Sequence, residues 1–233
     1  MPDSVILFCI PFAGGNEYSY QLLEERMDQA IKVQPLELPG RGHRSNENPV
    51  ANIHEMVLDL LAIMRPSLYR PYALFGHSMG ALVAYLISCQ LVKERLPLPS
   101  HLFISGKGSP QRISRESPWH TLPLEEFKLK LAELGGSPAA LLDDKELMDY
   151  FAPIIRADMQ IIAAYQHNPA PPLAIPITVM IGTADSTTTA QASEWNEMTT
   201  ADFRVVQYEG GHFFLFDHLG DICERVRSTL FGT

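Results

Sequence analysis

Cysteine is scarce: three residues in 233, Cys9, Cys89 and Cys223, an odd number at scattered spacing that suits neither a disulfide framework nor a thiolate metal centre. Each falls inside an apolar stretch and reads as a small core residue in a reducing compartment. Long hydrophobic runs are missing too, since none approaches the ~20 apolar residues of a membrane-spanning helix. Basic residues are outnumbered, 18 Lys and Arg against 27 Asp and Glu. The net charge of -9 removes the long-range positive field that would gather nucleic acid or anionic lipid. No basic segment precedes the first apolar run; Asp3 stands there and a Pro-Phe-Ala-Gly-Gly turn follows, so no secretory signal is read and a cytoplasmic location is expected. Repeats and low-complexity segments are also missing.

What is present suits a globular chain with a sheet-centred core, 46% hydrophobic and 19% charged over a length that fits one domain carrying an insertion. Its centre is Tyr72-Ala73-Leu74-Phe75-Gly76-His77-Ser78-Met79-Gly80-Ala81. Strand-formers run into a glycine, a serine sits between two glycines, and an unbroken helix-forming run follows. That is the context of a G-x-S-x-G nucleophile elbow. The glycines fit because the serine backbone is strained, and a side chain two residues to either side would strike a neighbouring strand or helix. Such a turn exposes the serine hydroxyl at a sheet end, with the Met79 N–H and a helix N-terminus aimed where an oxyanion would form.

Residues 4–10 are nearly all apolar, as in a parallel strand buried on both faces, and a helical stretch with Leu22, Leu23, Met27, Ala30 and Ile31 follows. Residues 33–38 read as a second strand, closed by Pro39-Gly40-Arg41-Gly42-His43, and 53–69 as a helix. After the elbow, further strands are predicted at 101–105, 175–181 and 203–208, and a last helix carries a stripe at Leu215, Leu219, Ile222, Val226 and Leu230. Alternation of strand and helix argues for an α/β fold, a mostly parallel sheet with helices on both faces. Between 107 and 168 that rhythm fails. Phe127, Leu131 and Leu134 mark one helix, Asp143 or Asp144 caps a second that reaches Phe151, and Pro153 opens a third that reaches Tyr165. This divides the chain into a core, 1–106 and 169–233, and a helical lid, 107–168.

A serine hydroxyl needs a base to become a nucleophile. The order Ser, Asp, His along the chain is met by Ser78, Asp185 and His212, the last two just beyond carboxyl ends of predicted strands. Among eight histidines His218 is the rival base, but it lies in the last helix. Asp202 sits on the wrong sheet edge for the acid, and Asp158 falls in a lid helix where a solvated or capping carboxylate is expected. The second oxyanion donor is expected from Pro11-Phe12-Ala13-Gly14-Gly15. Proline has no N–H, which leaves Ala13, with Phe12 second.

Taken together, Pro11-Phe12-Ala13-Gly14-Gly15, Leu38-Pro39-Gly40-Arg41-Gly42, Gly76-His77-Ser78-Met79-Gly80, Leu134-Gly135-Gly136-Ser137-Pro138, Arg156-Ala157-Asp158 and Gly210-Gly211-His212-Phe213-Phe214 resemble the stand-alone type II thioesterases of nonribosomal peptide and polyketide synthases. The resemblance implies an α/β-hydrolase fold without cofactor or metal. It also implies hydrolysis of acyl or aminoacyl thioesters from the 4'-phosphopantetheine arm of carrier domains, which clears misprimed synthases. The expected partners are acylated carrier domains, with no nucleic acid or membrane, and the enzyme is expected to be a monomer. Lys107, Arg112 and Arg115 at the start of the lid are candidates to meet the phosphate or the carrier's acidic helix. A general esterase or lipase, a transacylase and a non-catalytic hydrolase-fold binding protein stay open as alternatives.

Overall fold

The structure, a computed structural model, describes residues 4–111, 118–137 and 139–232. Six strands form one sheet: β1 Val5–Ile10, β2 Ile31–Pro35, β3 Tyr72–His77, β4 Leu102–Ser105, β5 Ile177–Gly182 and β6 Phe203–Tyr208. Their order is β2-β1-β3-β4-β5-β6 and every pairing is parallel. The chain runs outward from β1 to β2, then returns past β1 to β3. The carboxyl ends of β1 and β3 therefore flank the switch point, where open sheets of this kind bind ligands.

The sheet is covered on both faces because its side chains alternate. Ile6, Phe8 and Ile10 of β1 point into a core shared with Met56, Leu60 and Leu61 of α2 (Ile53–Met64) and with α3 (Met79–Glu94). Leu7 and Cys9 point the other way, toward Leu23 of α1 (Gln21–Arg26) and Ile222 and Val226 of α8 (Leu219–Phe231). A strand sealed on both faces reads as a continuous apolar run, which is why β1 and β3 were visible in the sequence. Cys9 and Cys223 are buried and Cys89 half-buried, all three as free thiols. Desolvation by burial raises each one's pKa above the ordinary thiol value, as expected of unreactive core residues.

Between β4 and β5 the described residues form helices and no strand: α4 Leu124–Leu134, α5 Ala139–Asp143 and α6 Lys145–Ala163. These pack a small core of their own, with Phe127, Leu131, Leu142, Met148, Ala152 and Ile155 separate from the two clusters on the sheet. Gly182 is followed by a loop to α7 (Thr189–Ser193).

Several boundaries differ from those the sequence suggests. β2 begins at Ile31, two residues early, because a turn closed by Ile31 N–H on the Asp28 carbonyl starts the strand there; α1 correspondingly stops at Arg26. The second and third lid helices are one, α6, with Pro153 inside it. Proline removes only one helical hydrogen bond, and the buried stripe of Met148, Ala152, Ile155 and Ile161 spans the site and holds the helix together. Leu215 lies on a separate turn, Phe214–Phe216, and His218 is the N-cap residue of α8 rather than inside it. No helix among the described residues is long and apolar enough to cross a membrane.

Candidate active site

Ser78 sits between β3 and α3 with φ 53° and ψ -113°, a left-handed conformation that a residue with a side chain rarely adopts. The two glycines of the turn are required by contact distance. A Cβ on Gly76 would stand 2.1 Å from the Gly80 carbonyl oxygen, and one on Gly80 would stand 2.1 Å from the Ile10 carbonyl oxygen of β1. Neither obstacle is a flexible side chain, so the strain cannot relax by rotation. Gly80→Ala should therefore cost about 3 kcal/mol or more, at the upper end of overpacking penalties. In a chain of this size that lowers the melting midpoint by roughly 10 °C. A thermal melt within 2 °C of wild type would show that α3 does not need this approach to β1.

His212 lies in the loop after β6, and its Nδ1 is 3.0 Å and 3.1 Å from the two carboxylate oxygens of Asp185, in the loop after β5. The Asp185 side chain is 1% exposed and that of His212 10%, so the pair is largely withdrawn from water. Nδ1–H donates to the carboxylate, which leaves Nε2 as the free ring nitrogen. Ser186 adds a hydroxyl bond to Asp185 Oδ1 at 3.3 Å. Ser78 and His212 line the same cavity. The rival His218 is turned elsewhere, donating Nε2–H to the Glu209 carbonyl at 2.7 Å and packing against Tyr208. Asp202 stands before β6, its carbonyl accepting the Ile177 N–H at the amino-terminal edge of the sheet.

His77 is wholly buried beneath this pair, its ring 4.9 Å from that of His212 and its Nδ1 2.9 Å from Ser105 Oγ. Burial pulls its pKa well below the ordinary imidazole range, with the nearby His212 adding to the effect, so it stays neutral and competes for no proton. Gly106, at φ 61°, allows β4 to end against both rings; a Cβ there would come within 2.6 Å of His77.

The loop after β1 is a tight turn closed by Gly15 N–H on the Phe12 carbonyl at 2.8 Å. Among the described residues the N–H groups of Ala13 and Met79 have no acceptor, whereas that of Gly14 donates to Asp158 Oδ2 at 2.8 Å. Asp158 thus corrects the sequence expectation: it is neither solvated nor capping. It is 1% exposed and bonded twice to the Arg41 guanidinium, at 2.6 Å and 2.7 Å. The signal available in the sequence was its place on the buried face of α6, between Ile155 and Ile161, where a carboxylate persists only if paired.

A cavity of about 1030 Å³ opens above Ser78. On the helical side its wall is apolar, with Leu131, Leu134, Phe151, Ile155, Met159 and Ile162; on the side of β4, β5 and α7 it is polar, with Lys107, Ser109, Gln111, Thr187 and Gln191. Lys107 lines it, while Arg112 and Arg115 lie outside the described residues. The site thus offers a hydroxyl on a strained turn, an imidazole oriented by a carboxylate, two unbonded N–H groups and an apolar chamber. These are the parts an acyl-transfer site needs.

Comparison with known proteins agrees with that chemistry. A thioesterase-domain family model matches residues 5–230. The chain is 35% identical over 219 residues to the gramicidin S biosynthesis protein GrsT of Aneurinibacillus migulanus, spanning 94% of this chain and 86% of that one. The crystal structure of ClbQ from the colibactin NRPS/PKS pathway matches with a TM-score of 0.92 at 30% identity, covering 98% of each chain. The type II thioesterase BorB from the borrelidin biosynthetic cluster matches with a TM-score of 0.90 at 31% identity, over 99% of this chain and 94% of that one.

Proposed function

This chain belongs to the thioesterase family, and from that premise we propose that it is a stand-alone editing thioesterase, cleaving acyl groups from the phosphopantetheine arm of synthase carrier domains through Ser78, His212 and Asp185. The observation that carries the reading is the His212–Asp185 pair at 3.0 Å, with His212 and the elbow serine lining one half-apolar cavity. The relatives with synthase-pathway names point to the substrate class.

In this reading Ser78 Oγ attacks the thioester carbonyl carbon while His212 Nε2 takes its proton, and Asp185 stabilises the imidazolium. Charge on the carbonyl oxygen is met by the N–H groups of Met79 and Ala13, each worth about 3 kcal/mol when aimed at a developing oxyanion. Collapse of the tetrahedral intermediate breaks the C–S bond, and the imidazolium proton passes to the departing pantetheine thiolate. Water, deprotonated by His212, then attacks the acyl-serine; collapse breaks the bond between the acyl carbon and Ser78 Oγ, the imidazolium proton returns to Oγ, and the acid leaves. Helices α4 to α6, within the proposed lid 107–168, receive the acyl chain against their apolar wall. The opposite polar wall, with Gln191 and Ser109, suits the amides of the pantetheine arm.

Lys107 stands on that polar wall, and among the described residues its ammonium has no acidic partner. In this reading it meets the phosphate of the arm. Lys107→Glu should narrow the preference for carrier-borne acyl groups over an acyl N-acetylcysteamine thioester, which has no phosphate, by roughly three- to tenfold in kcat/KM, the scale of one exposed charge pair reversed. An unaltered ratio removes Lys107 from the docking site. The function itself is tested by comparing turnover of an acyl-carrier thioester with that of a p-nitrophenyl ester of the same acyl group. A thioesterase of this kind favours the former, and equal or greater efficiency on the oxygen ester would favour a general esterase instead.

A further inference from the structure

We propose that Arg41 and Asp158 are positioning residues for the oxyanion turn, and that the α6 helix of the lid is thereby part of the catalytic apparatus and not only a cover. The inference rests on the proposed acyl-transfer reading and assigns a role to two buried groups that the proton-transfer chemistry does not use.

Asp158 is offered to three donors at once: the Gly14 N–H at 2.8 Å and both terminal nitrogens of Arg41. Arg41 in turn donates to the Gly15 carbonyl at 3.1 Å. Two successive residues of the turn are therefore tied to one ion pair, which joins the loop after β2 to the middle of α6. Burying both charges is a costly way to attach a helix, since an apolar pair of similar volume usually serves as well or better. What the ion pair adds is direction. The turn from Phe12 to Gly15 has Gly14 in its third position with φ 77°, and a glycine there lets the central peptide of a β-turn flip. A flip would swing the Ala13 carbonyl toward the Asp158 carboxylate in place of the Gly14 N–H. Repulsion there, and loss of the bond, hold the observed orientation. Gly14 N–H is kept for Asp158; the Ala13 N–H lies on the preceding peptide, and the ion pair holds it toward the substrate by fixing the course of the turn. Ile155, one turn earlier on α6, presses on the same glycine so closely that a Cβ there would lie 2.4 Å from its Cγ1.

The test uses Asp158→Asn, which keeps the shape, and the double variant Arg41→Met with Asp158→Leu, which keeps the volume and removes both charges. For each, kcat and KM on an acyl-carrier thioester are measured with the inhibition constant of an alkylboronic acid, which becomes tetrahedral on Ser78. Misplacing one oxyanion donor should lower kcat by roughly 30- to 100-fold and weaken the boronic acid by a similar factor, with KM within about threefold. The double variant should melt near the wild-type temperature and still show the loss, which a purely structural pair would not. Wild-type kcat and boronate affinity in either folded variant, or a loss confined to KM, overturns the proposal. Should neither variant fold, backbone NMR of the wild-type protein decides: boronic acid should shift the Ala13 amide and leave Gly14 in place, and the reverse overturns it. An active Ser78→Ala protein would instead sink the acyl-transfer reading itself, whatever the Asp158 result.

Discussion

Ser78→Ala protein is expected to release acid from an acyl-carrier thioester more slowly than wild type by a factor on the order of 10⁶, the loss seen when the nucleophile of a serine protease is removed. What remains should reflect binding and the oxyanion donors alone, a residual effect of roughly 10³ to 10⁴ over water. The fold should not notice. Alanine keeps the Cβ in the same left-handed backbone, and Ser78 gives α3 no side-chain cap whose loss would matter. A melting midpoint within about 2 °C of wild type is therefore expected, in contrast to Gly80→Ala, where the added carbon meets the backbone of β1. The variant should also fail to take up a fluorophosphonate, which labels the wild-type serine. If it turns over at more than about one-thousandth of the wild-type rate, another group attacks the thioester.

The elbow was legible because its requirements are local. A serine between glycines, after a strand and before a helix, states its own backbone geometry, and β1 and β3 announce burial on both faces through unbroken apolar runs. Asp185 and His212 follow from strand order, since parallel strands bring their carboxyl ends to one edge wherever they lie in the chain. Arg41 and Asp158 belong to two separate motifs, and nothing in the sequence pairs them. They are 117 residues apart, and nothing in either segment names the other. The continuity of α6 through Pro153 was hidden for the opposite reason. Proline is a strong local signal for a break, and only the tertiary stripe on both sides of it overrides that signal. The rival His218 bonds its ring to the Glu209 carbonyl, a backbone contact that its side chain's identity alone does not announce.

Asp185→Asn carries the other large effect, a fall of roughly 10⁴ in kcat with KM nearly unchanged, the loss expected when the triad aspartate of a serine protease becomes asparagine. Both carboxylate oxygens lie within 3.1 Å of His212 Nδ1, so whichever of them accepts, the ring is held with its proton on Nδ1 and its lone pair on Nε2. An asparagine presents an oxygen on one side and an NH₂ on the other. With the NH₂ turned to Nδ1 it stabilises the tautomer that carries its proton on Nε2, which cannot accept the Ser78 proton. With the oxygen turned to Nδ1 it restores the tautomer but not the charge, and the imidazolium then forms in a largely buried site with no anion beside it. Fluorophosphonate labelling of Ser78 should slow in parallel with turnover, because both need the same proton transfer. Asp202→Asn is the control, expected to stay within twofold of wild type from its place at the opposite edge of the sheet. If Asp185→Asn retained more than about a tenth of wild-type kcat while Asp202→Asn lost most of it, the acid would have to be reassigned. The imidazole would then be oriented from a direction that the loops after β5 and β6 do not provide.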